Sequence, residues 1–429
     1  MLTGGLALAT LIAGCAAGDA RTGFTVEVRD SAGVQIVENR GAEVPDSMVL
    51  RDATEELRIG TLEGPPELQL HQVTGLAVDS RGNILVGDNG SGTVKVFDAD
   101  GRFLRALGGR GSGPGEFPQG VGWIWLENDT VAVYAGERIV GFDAAGEAVA
   151  TEATRSPTGS AFNVRAGLPG RWVGVLNGTD NHPRFTGVPH VESPLVRVDL
   201  AHTERIDTLL TVPVRPIHPV RGGSDIDWPV FAVTPAWGVA ADGALVVHGG
   251  LPYEYRVYDA GGALRRIVRR DWEPKLVTGA EADERYRGLV RARWDTVPGT
   301  SVEQMLARTD RRLALPHPDS LPPLGMMLLG ADGGVWLLRN DLLAEDPVRA
   351  EWELFNTPVR MGMADRPVRW DVFDAEGRFL AAVELPARFR PAAVDGDRVT
   401  GVQLDDMDVE YVVRYRVEGL DAYRTLGTG

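Results

Sequence analysis

Cysteine and basic residues are scarce in this sequence, and each scarcity excludes a class of protein. Cys15 is the one cysteine in 429 residues, so the chain cannot form an intrachain disulfide. Lysine and arginine number 44 against 60 acidic residues, which leaves a net charge of -16. Because nucleic acid is a polyanion and its partners need a basic face, this charge argues against a nucleic-acid-binding protein.

The residue patterns of common catalytic and metal sites are also missing. The seven histidines lie at positions 71, 182, 190, 202, 218, 248 and 317, and no two have metal-ligand spacing. The chain contains no H-E-x-x-H, C-x-x-C or G-x-S-x-G motif, the patterns of zinc proteases, thiol or zinc sites and serine hydrolases. We therefore predict no cofactor, and we leave a calcium ion open.

A short apolar run precedes Cys15. Residues 2–14, LTGGLALATLIAG, are too few to span a bilayer. The run ends in Ile12-Ala13-Gly14-Cys15, which resembles the lipobox of bacterial lipoprotein signal peptides. An ordinary secretory signal with a chance cysteine is the alternative. The resemblance implies a lipid on Cys15, and the absence of aspartate directly after it implies transfer to the outer membrane, facing the periplasm or the cell surface.

Glycine and proline are abundant, and one turn phrase recurs. The 53 glycines and 27 prolines accompany 43% hydrophobic residues, which predicts many tight turns between short buried strands. Six copies of the phrase begin at residues 97, 142, 198, 258, 373 and 415, reading FDADGRFL, FDAAGEAV, VDLAHTER, YDAGGALR, FDAEGRFL and YRVEGLDA. In the clear copies a strand ends, aspartate caps a turn, glycine takes a positive φ and a second strand departs.

A second hairpin precedes several of these copies. It reads LAVDSRGNILV at 76–86, VAADGALVV at 239–247 and LGADGGVWLL at 329–338. Two hairpins make a four-stranded unit of propeller-blade size. Six copies therefore predict an all-β fold, a six-bladed β-propeller. Residues 73–117 also resemble the NHL-type repeat, and the chain resembles six-bladed propeller lipoproteins of bacteria.

The wide gap between the copies at 258 and 373 predicts a helical insertion in the fifth blade, residues 278–318. Helical spacing is present in EADERYRGLVRARW and VEQMLARTDRRL. Thr278 with Glu281, and Thr300 with Glu303, each fit a capping box at a helix start.

We divide the chain into a signal peptide at 1–15, a linker and hairpin at 16–56, and the propeller at 57–429. Leu57–Gly60 resembles the last strand of a blade, so the N-terminal segment is expected to complete the sixth blade. The alternative is closure by Ala422–Leu426, with 24–39 as a separate hairpin.

The stretch GGRGSGPGEF at 108–117 raises the question of a phosphate loop. Such a loop must follow a strand and open a helix, whose N-terminus then faces the phosphate. Here another strand is expected to start at Phe117, so we interpret the stretch as a corner between blades.

The loops between blades and within the middle hairpins are the expected binding face of a propeller. In this sequence they contribute the candidate ligand residues Asp88, Asn89, Arg110, Glu116, Asn177, Asp180, His248, Tyr253, Arg339 and Asn340. Asp406, Asp408 and Glu410 would share one face of a strand and are candidate ligands of a divalent ion. Trp228 and Trp237 are candidates for stacking on a sugar.

These features favour an envelope-anchored, non-catalytic binding or scaffold propeller. We expect a monomer that binds a protein or a polar small molecule, and that meets the membrane through its N-terminal lipid alone. The alternative is a calcium- or zinc-dependent hydrolase or lactonase that uses carboxylates and amides of the central channel. Resemblance to NHL-type amidating lyases would imply a zinc site of several histidines, and His248 alone lies at a comparable strand end.

Overall fold

A computed structural model describes residues 24–154, 161–169, 171–177, 189–200, 202, 206–220, 226–342, 346, 348 and 363–426. Their strands form six sheets, each with four antiparallel strands from the centre outward, and three of these sheets carry one or two further strands. The first strands of the six sheets contact each other in a closed ring. The predicted six-bladed β-propeller is therefore confirmed. Cys15, Asp180 and His182 lie outside the described residues.

Four strands precede the blades: β1 (Thr25–Ser31), β2 (Val34–Arg40), β3 (Val49–Leu50) and β4 (Ala53–Ile59). Blade one contains β5 (Val73–Val78), β6 (Ile84–Asp88), β7 (Thr93–Phe97) and β8 (Phe103–Leu107). Blade two contains β9 (Ile124–Glu127), β10 (Thr130–Tyr134), β11 (Arg138–Phe142) and β12 (Ala148–Ala153). Blade three contains β13 (Ala161–Leu168), β14 (Arg171–Asn177), β15 (His190–Val198) and β16 (Ile206–Pro219), extended by β17 (Ile226–Asp227).

Blade four contains β18 (Ala236–Val239), β19 (Leu245–His248), β20 (Glu254–Tyr258) and β21 (Leu264–Arg270). Blade five contains β22 (Leu324–Leu329), β23 (Val335–Arg339), β24 (Val368–Phe373) and β25 (Phe379–Leu385). Blade six contains β26 (Phe389–Asp395), β27 (Arg398–Leu404) and β28 (Glu410–Val417). The helices are α1 (Ala280–Trp294), α2 (Val302–Leu313) and α3 (Leu420–Leu426). Within the described ranges, no helix combines the length and apolar character needed to cross a membrane.

The N-terminal segment closes the ring. β4 pairs antiparallel with β28 and becomes the outer strand of blade six, from Ala53 opposite Val417 to Ile59 opposite Val412. The first of the two expected closures is the one found. Ala422–Leu426, the alternative closing strand, lies in α3 instead.

Before it reaches blade six, the same segment runs along the outer edges of blades four and five. β2 pairs parallel with β21, and β3 pairs parallel with β25. An outer strand otherwise presents unpaired backbone groups to solvent. The segment therefore covers the outer edges of blades four and five before it becomes the outer strand of blade six.

In its four clear copies the recurring turn phrase joins the third and fourth strands of a blade, whereas the copy at 415 runs from β28 into α3. Asp98 accepts hydrogen bonds through Oδ1 from the backbone N–H groups of Asp100 at 3.0 Å and Arg102 at 2.8 Å. Gly101 has a φ of 81°, which a residue with a Cβ rarely adopts. Asp143 and Asp259 cap their turns in the same way. The predicted turn chemistry is confirmed.

Buried apolar side chains of the described residues fall into six clusters, one between each pair of adjacent blades. The second strands of blades one, four and five are buried along their whole length, as in ILVGD of β6 and VWLLR of β23. Outer strands such as β8 are partly exposed. A blade buries both faces only when both neighbours are in place, so the core depends on the closed ring.

The helical insertion lies in the connection from blade four to the first strand of blade five. Tyr286 and Val290 of α1 are buried in the cluster between blades five and six. The predicted capping boxes are wrong by one residue. Gly279 precedes α1 without a side-chain cap, and the Ser301 hydroxyl accepts from the Gln304 N–H at the start of α2.

The glycine-rich stretch at 108–117 is the predicted corner between blades one and two. The Phe117 ring is fully buried in the cluster between these blades, and its N–H donates to the Gly109 carbonyl at 2.7 Å. The following strand begins at Ile124 rather than at Phe117. Gly120, with a φ of 84°, turns the chain between them.

Asn39 connects the N-terminal segment to two blades, and its side chain is almost completely buried. Its Nδ2 donates to the carbonyls of Arg269 and Gly377 at 3.1 and 3.0 Å, and its Oδ1 accepts from the Phe379 N–H at 2.7 Å. Replacing Asn39 with Ala should lower the free energy of unfolding by about 2–4 kcal/mol, because three buried polar groups lose their partner. Urea unfolding measures the change.

The matched control is Glu27→Ala on the same hairpin, where the side chain is exposed. It should change the free energy of unfolding by less than about 0.5 kcal/mol. Equal effects of the two substitutions would contradict the role assigned to Asn39.

Candidate functional site

One face of the propeller carries the connections between blades, the turns between second and third strands, and α1 with α2. We call it the upper face; the recurring aspartate turns lie on the opposite face. The candidate ligand residues whose side chains are described all lie on the upper face, as expected. Asn177 is the last residue of β14, and its side chain lies outside the described part of the structure.

At blade one, the candidate residues hold the loops in place. Asp88 is buried, pairs with Lys95 at 2.7 Å and accepts from the N–H groups of His71 and Gly90.

The other three candidates at blade one bind nearby backbone groups. Asn89 Oδ1 accepts from the Val121 N–H at 3.2 Å. Arg110 donates to the Asn89 carbonyl at 2.5 Å. The Glu116 carboxylate accepts from the Gly113 N–H at 2.7 Å within the glycine-rich corner. These side chains are therefore committed to the loops themselves.

Asn340 and His248 support the first strand of blade five. Asn340 Nδ2 donates to Thr234 Oγ1 at 3.0 Å and to the Leu324 carbonyl at 3.1 Å. His248 is buried, and its Nδ1 accepts from the Gly250 N–H at 3.1 Å. This bond places the single ring hydrogen on Nε2. Burial lowers the pKa of His248 to about 4, which the Gly325 backbone offsets in part.

Tyr253 and Arg339 belong to a buried ion cluster between blades four and five, together with Arg270, Asp341 and Asp371. Asp371 Oδ2 is 3.0 Å from Arg270 and 3.2 Å from Arg339, and it accepts from the Tyr253 hydroxyl at 2.5 Å. Arg339 also forms a two-bond pair with Asp341, at 2.8 Å for each bond. The two arginines and the two aspartates balance in charge. Because Arg270 belongs to blade four and Asp371 to blade five, the cluster joins these two blades.

The pKa values of this cluster follow from its burial and its charges. Burial alone would raise the pKa of Asp371, but Arg270 and Arg339 outweigh it and hold that pKa below its ordinary value. Burial, and then the Asp371 carboxylate, raise the pKa of Tyr253 well above its ordinary value. At neutral pH Asp371 is ionised and Tyr253 carries its proton.

The three acidic residues proposed as ion ligands do not share a strand face. Residues 405–409 form a turn in which Asp408 has a φ of 64°, so the alternation of a strand does not apply. Asp408 pairs with Arg388, and Glu410 accepts from the Val73 N–H at 2.9 Å. Across the described ranges, no group of three or more His, Cys, Asp or Glu side chains is placed to hold a metal ion.

A Ser–His contact occurs on β15. His190 Nε2 lies 2.7 Å from Ser193 Oγ, within hydrogen-bond distance. A nucleophilic serine must reach its substrate, however, and Ser193 is fully buried. The pair therefore does not have the exposure of a catalytic nucleophile and its base.

A cationic group lies on the upper face where α2 packs against β17. Its members are Arg215, Asp227, Trp228, Arg308, Arg311 and Arg312, and we call it the arginine–tryptophan cluster. The guanidinium carbons of Arg215, Arg308 and Arg312 lie 5.3, 5.3 and 5.6 Å from the centroid of the Trp228 ring. The Trp228 ring, a sugar-stacking candidate, therefore has three arginines around it.

Asp227 and one carbonyl fix the arginines of α2. Arg308 Nε and Arg311 Nε lie 3.0 and 3.3 Å from the two carboxylate oxygens of Asp227. Arg312 Nε donates to the Trp228 carbonyl at 3.0 Å. The spacing 308, 311, 312 places the three on one side of a helix. That signal was present in the sequence, but no local pattern connects it to Trp228, 80 residues earlier in the chain.

A family model for six-bladed β-propellers matches residues 51–155 of this chain. No curated protein matches the sequence. The solved structure of a member of the duf4221 family from Bacteroides vulgatus is 10% identical, with a TM-score of 0.49, and covers 85% of this chain and 97% of that chain.

Two further solved structures are similar over most of the chain. Virginiamycin B lyase from Staphylococcus aureus is 10% identical, with a TM-score of 0.36, and covers 80% of this chain and 94% of its own. Regucalcin from Agrobacterium tumefaciens, a calcium-binding protein, is 11% identical, with a TM-score of 0.37, and covers 86% and 96%. Similarity at this level carries no information on activity.

His248 makes stability depend on pH. The folded protein holds its pKa at about 4, below the ordinary value of 6.5, so the unfolded chain binds the extra proton between these pH values. The free energy of unfolding is therefore fully retained above pH 6.5 and falls by about 3 kcal/mol towards pH 4. His248→Gln should reduce this dependence, measured by urea unfolding at pH 4.5 and pH 7.

The control is His202→Gln, because His202 is exposed and pairs with Asp199 at the surface. It should keep the pH dependence of the wild type. A His248→Gln protein with an unchanged slope between the two pH values would show that His248 is not the titrating group.

Proposed function

We propose that this protein is a non-catalytic binding or scaffold propeller, held at the cell envelope by a lipid on Cys15. The observation that carries the binding role is the use of polar side chains on the upper face. Asp88, Asn340 and Asp371 each satisfy backbone or charged groups of the propeller itself. Catalysis requires such groups to face a substrate. Here they make the upper face rigid, which suits recognition.

The lipobox supports the anchor. Ile12-Ala13-Gly14-Cys15 places small residues directly before the cysteine, after an apolar run that is too short to span a bilayer. A single acyl chain binds a membrane only marginally, and several chains on one cysteine give stable attachment. The lipid would hold the propeller near the membrane and leave its strands free of the bilayer.

Cys15→Ser should abolish incorporation of labelled palmitate and move the protein from the membrane fraction to the soluble fraction of a host with an outer membrane. The physical reason is that a hydroxyl does not replace the thiol that carries the diacylglyceryl group. Palmitate labelling and fractionation measure the two effects.

Ala16→Asp serves as the control for this substitution. It should keep the palmitate label, because the thiol is intact, and shift the protein to the inner membrane. Equal labelling of wild type and Cys15→Ser would contradict the lipid anchor.

A binding propeller without an essential metal should melt at the same temperature in EDTA and after calcium or zinc is restored. A metal that binds only the folded state raises the melting temperature by mass action. The chain from Asp19 onward is suitable for this test because it contains every described strand and helix. Circular dichroism melts measure the shift, and we expect a change below about 1 °C.

A reversible rise of several degrees would contradict the proposal. It would direct the search for substrates to lactones and esters, the substrates of the metal-dependent hydrolase alternative. A matched melt in magnesium controls for the general effect of a divalent ion on a chain with a net charge of -16.

A further inference from the structure

We propose that the arginine–tryptophan cluster binds a phosphate monoester group of the ligand. This inference rests on the proposed binding function and specifies its chemistry. The cluster differs from the other polar groups of the upper face because its charges are not balanced within the described residues.

The charge count favours a dianion. α2 contributes three guanidinium groups, and Asp227 is the carboxylate that pairs with two of them, Arg308 and Arg311. Arg312 contacts a carbonyl and meets no carboxylate among the described residues. Two positive charges of α2 are therefore left over in a chain whose net charge is -16. A phosphate monoester carries about -1.5 to -2 at pH 7, which matches this surplus better than a single carboxylate does.

The nitrogen atoms that face solvent are suited to phosphate. Arg308 uses Nε for Asp227, and no bond to a described residue occupies its two terminal nitrogens. Arg311 also uses Nε for Asp227, and its Nη1 makes a long contact of 3.4 Å to the Ala307 carbonyl. Guanidinium groups bind phosphate oxygens through pairs of N–H donors. The outer edges of these two side chains could supply such pairs.

Trp228 orders the cluster before a ligand arrives. A cation over an aromatic face is attracted by the ring, so the three guanidinium groups near Trp228 are held in position. Ordering long side chains in advance lowers the entropic cost of binding. Asp227 pairs with two of the three arginines of α2, and a bound dianion would further reduce the repulsion among these three.

The cluster is accessible. The side chains of Arg308 and Arg311 are 43% and 52% exposed, whereas Asp227 beneath them is 6% exposed. The position on the upper face, beside the connections that enter blades four and five, is the usual location of a propeller ligand. A ligand can therefore reach the two outer arginines without any movement of the blades.

The test measures binding of glycerol 3-phosphate by titration calorimetry at fixed ionic strength, with the chain from Asp19 onward. Arg312→Gln leaves both ion pairs of Asp227 intact, and Arg308→Gln removes one. Each should weaken binding by about tenfold or more, because Arg308 is one of the two phosphate donors and Arg312 supplies part of the positive charge that is left over. Arg291→Gln on α1 removes an exposed arginine outside the cluster, paired with Glu284, and should bind like the wild type.

Circular dichroism melts must first show that each variant is folded. If Arg308→Gln unfolds because Asp227 loses a partner, Arg312→Gln and the charge-retaining Arg308→Lys still decide the question. Binding that is lost in Arg312→Gln and kept in Arg291→Gln supports the site. No heat with the wild type, or equal affinity in all variants, overturns it.

A second measurement identifies the source of the phosphate. Vesicles of phosphatidylcholine with phosphatidic acid present the same group on a lipid surface, and pure phosphatidylcholine vesicles are the control. Arginine-dependent sedimentation with the first vesicles indicates a lipid headgroup, and binding of glycerol 3-phosphate alone indicates a soluble ligand. If the phosphate site fails while the melt shows no metal, only this site is wrong; a metal-dependent melt would instead overturn the proposed function.

Discussion

The pairing of β4 with β28 is the constraint on which the rest of this structure depends. Each blade has apolar faces on both sides, and the buried clusters lie between blades, so an open ring would leave two faces in water. Ile59 of β4 is buried in the cluster between blades six and one. The ends of the propeller sequence are therefore joined by hydrogen bonds, and the core is complete only when they meet.

The junction of blades four and five carries much of the remaining polar structure. The N-terminal segment reaches it through Asn39, and the ion cluster around Asp371 lies within it. Burying a charge lowers stability unless the charge is paired. Removing one partner of a buried pair is strongly destabilising because the other charge stays buried without a partner. Residues that looked like ligand candidates, such as Tyr253 and Arg339, are thus explained by the joint between two blades.

The contrast between balanced and unbalanced charge separates the two kinds of polar cluster on the upper face. Around Asp371, two arginines meet two aspartates in a buried interface. Around Trp228, the arginines of α2 outnumber the one carboxylate of the described residues that pairs with them, and Arg308 and Arg311 are partly exposed. The first arrangement holds the fold together, and the second leaves binding capacity. The helical insertion that brings α2 over the upper face therefore supplies the arginines of the proposed phosphate site.

The sequence by itself determined the blades, because the turn chemistry of Asp98 and Gly101 and the continuous apolar strands are local and repeat along the chain. It also placed the described candidate residues on one face, since loop position follows from strand order. It did not determine which polar residues form hydrogen bonds and ion pairs within the protein. Asp371 meets Arg270, and Trp228 meets Arg308, only after the ring closes and α2 packs, so these contacts between distant residues were decided by the tertiary structure.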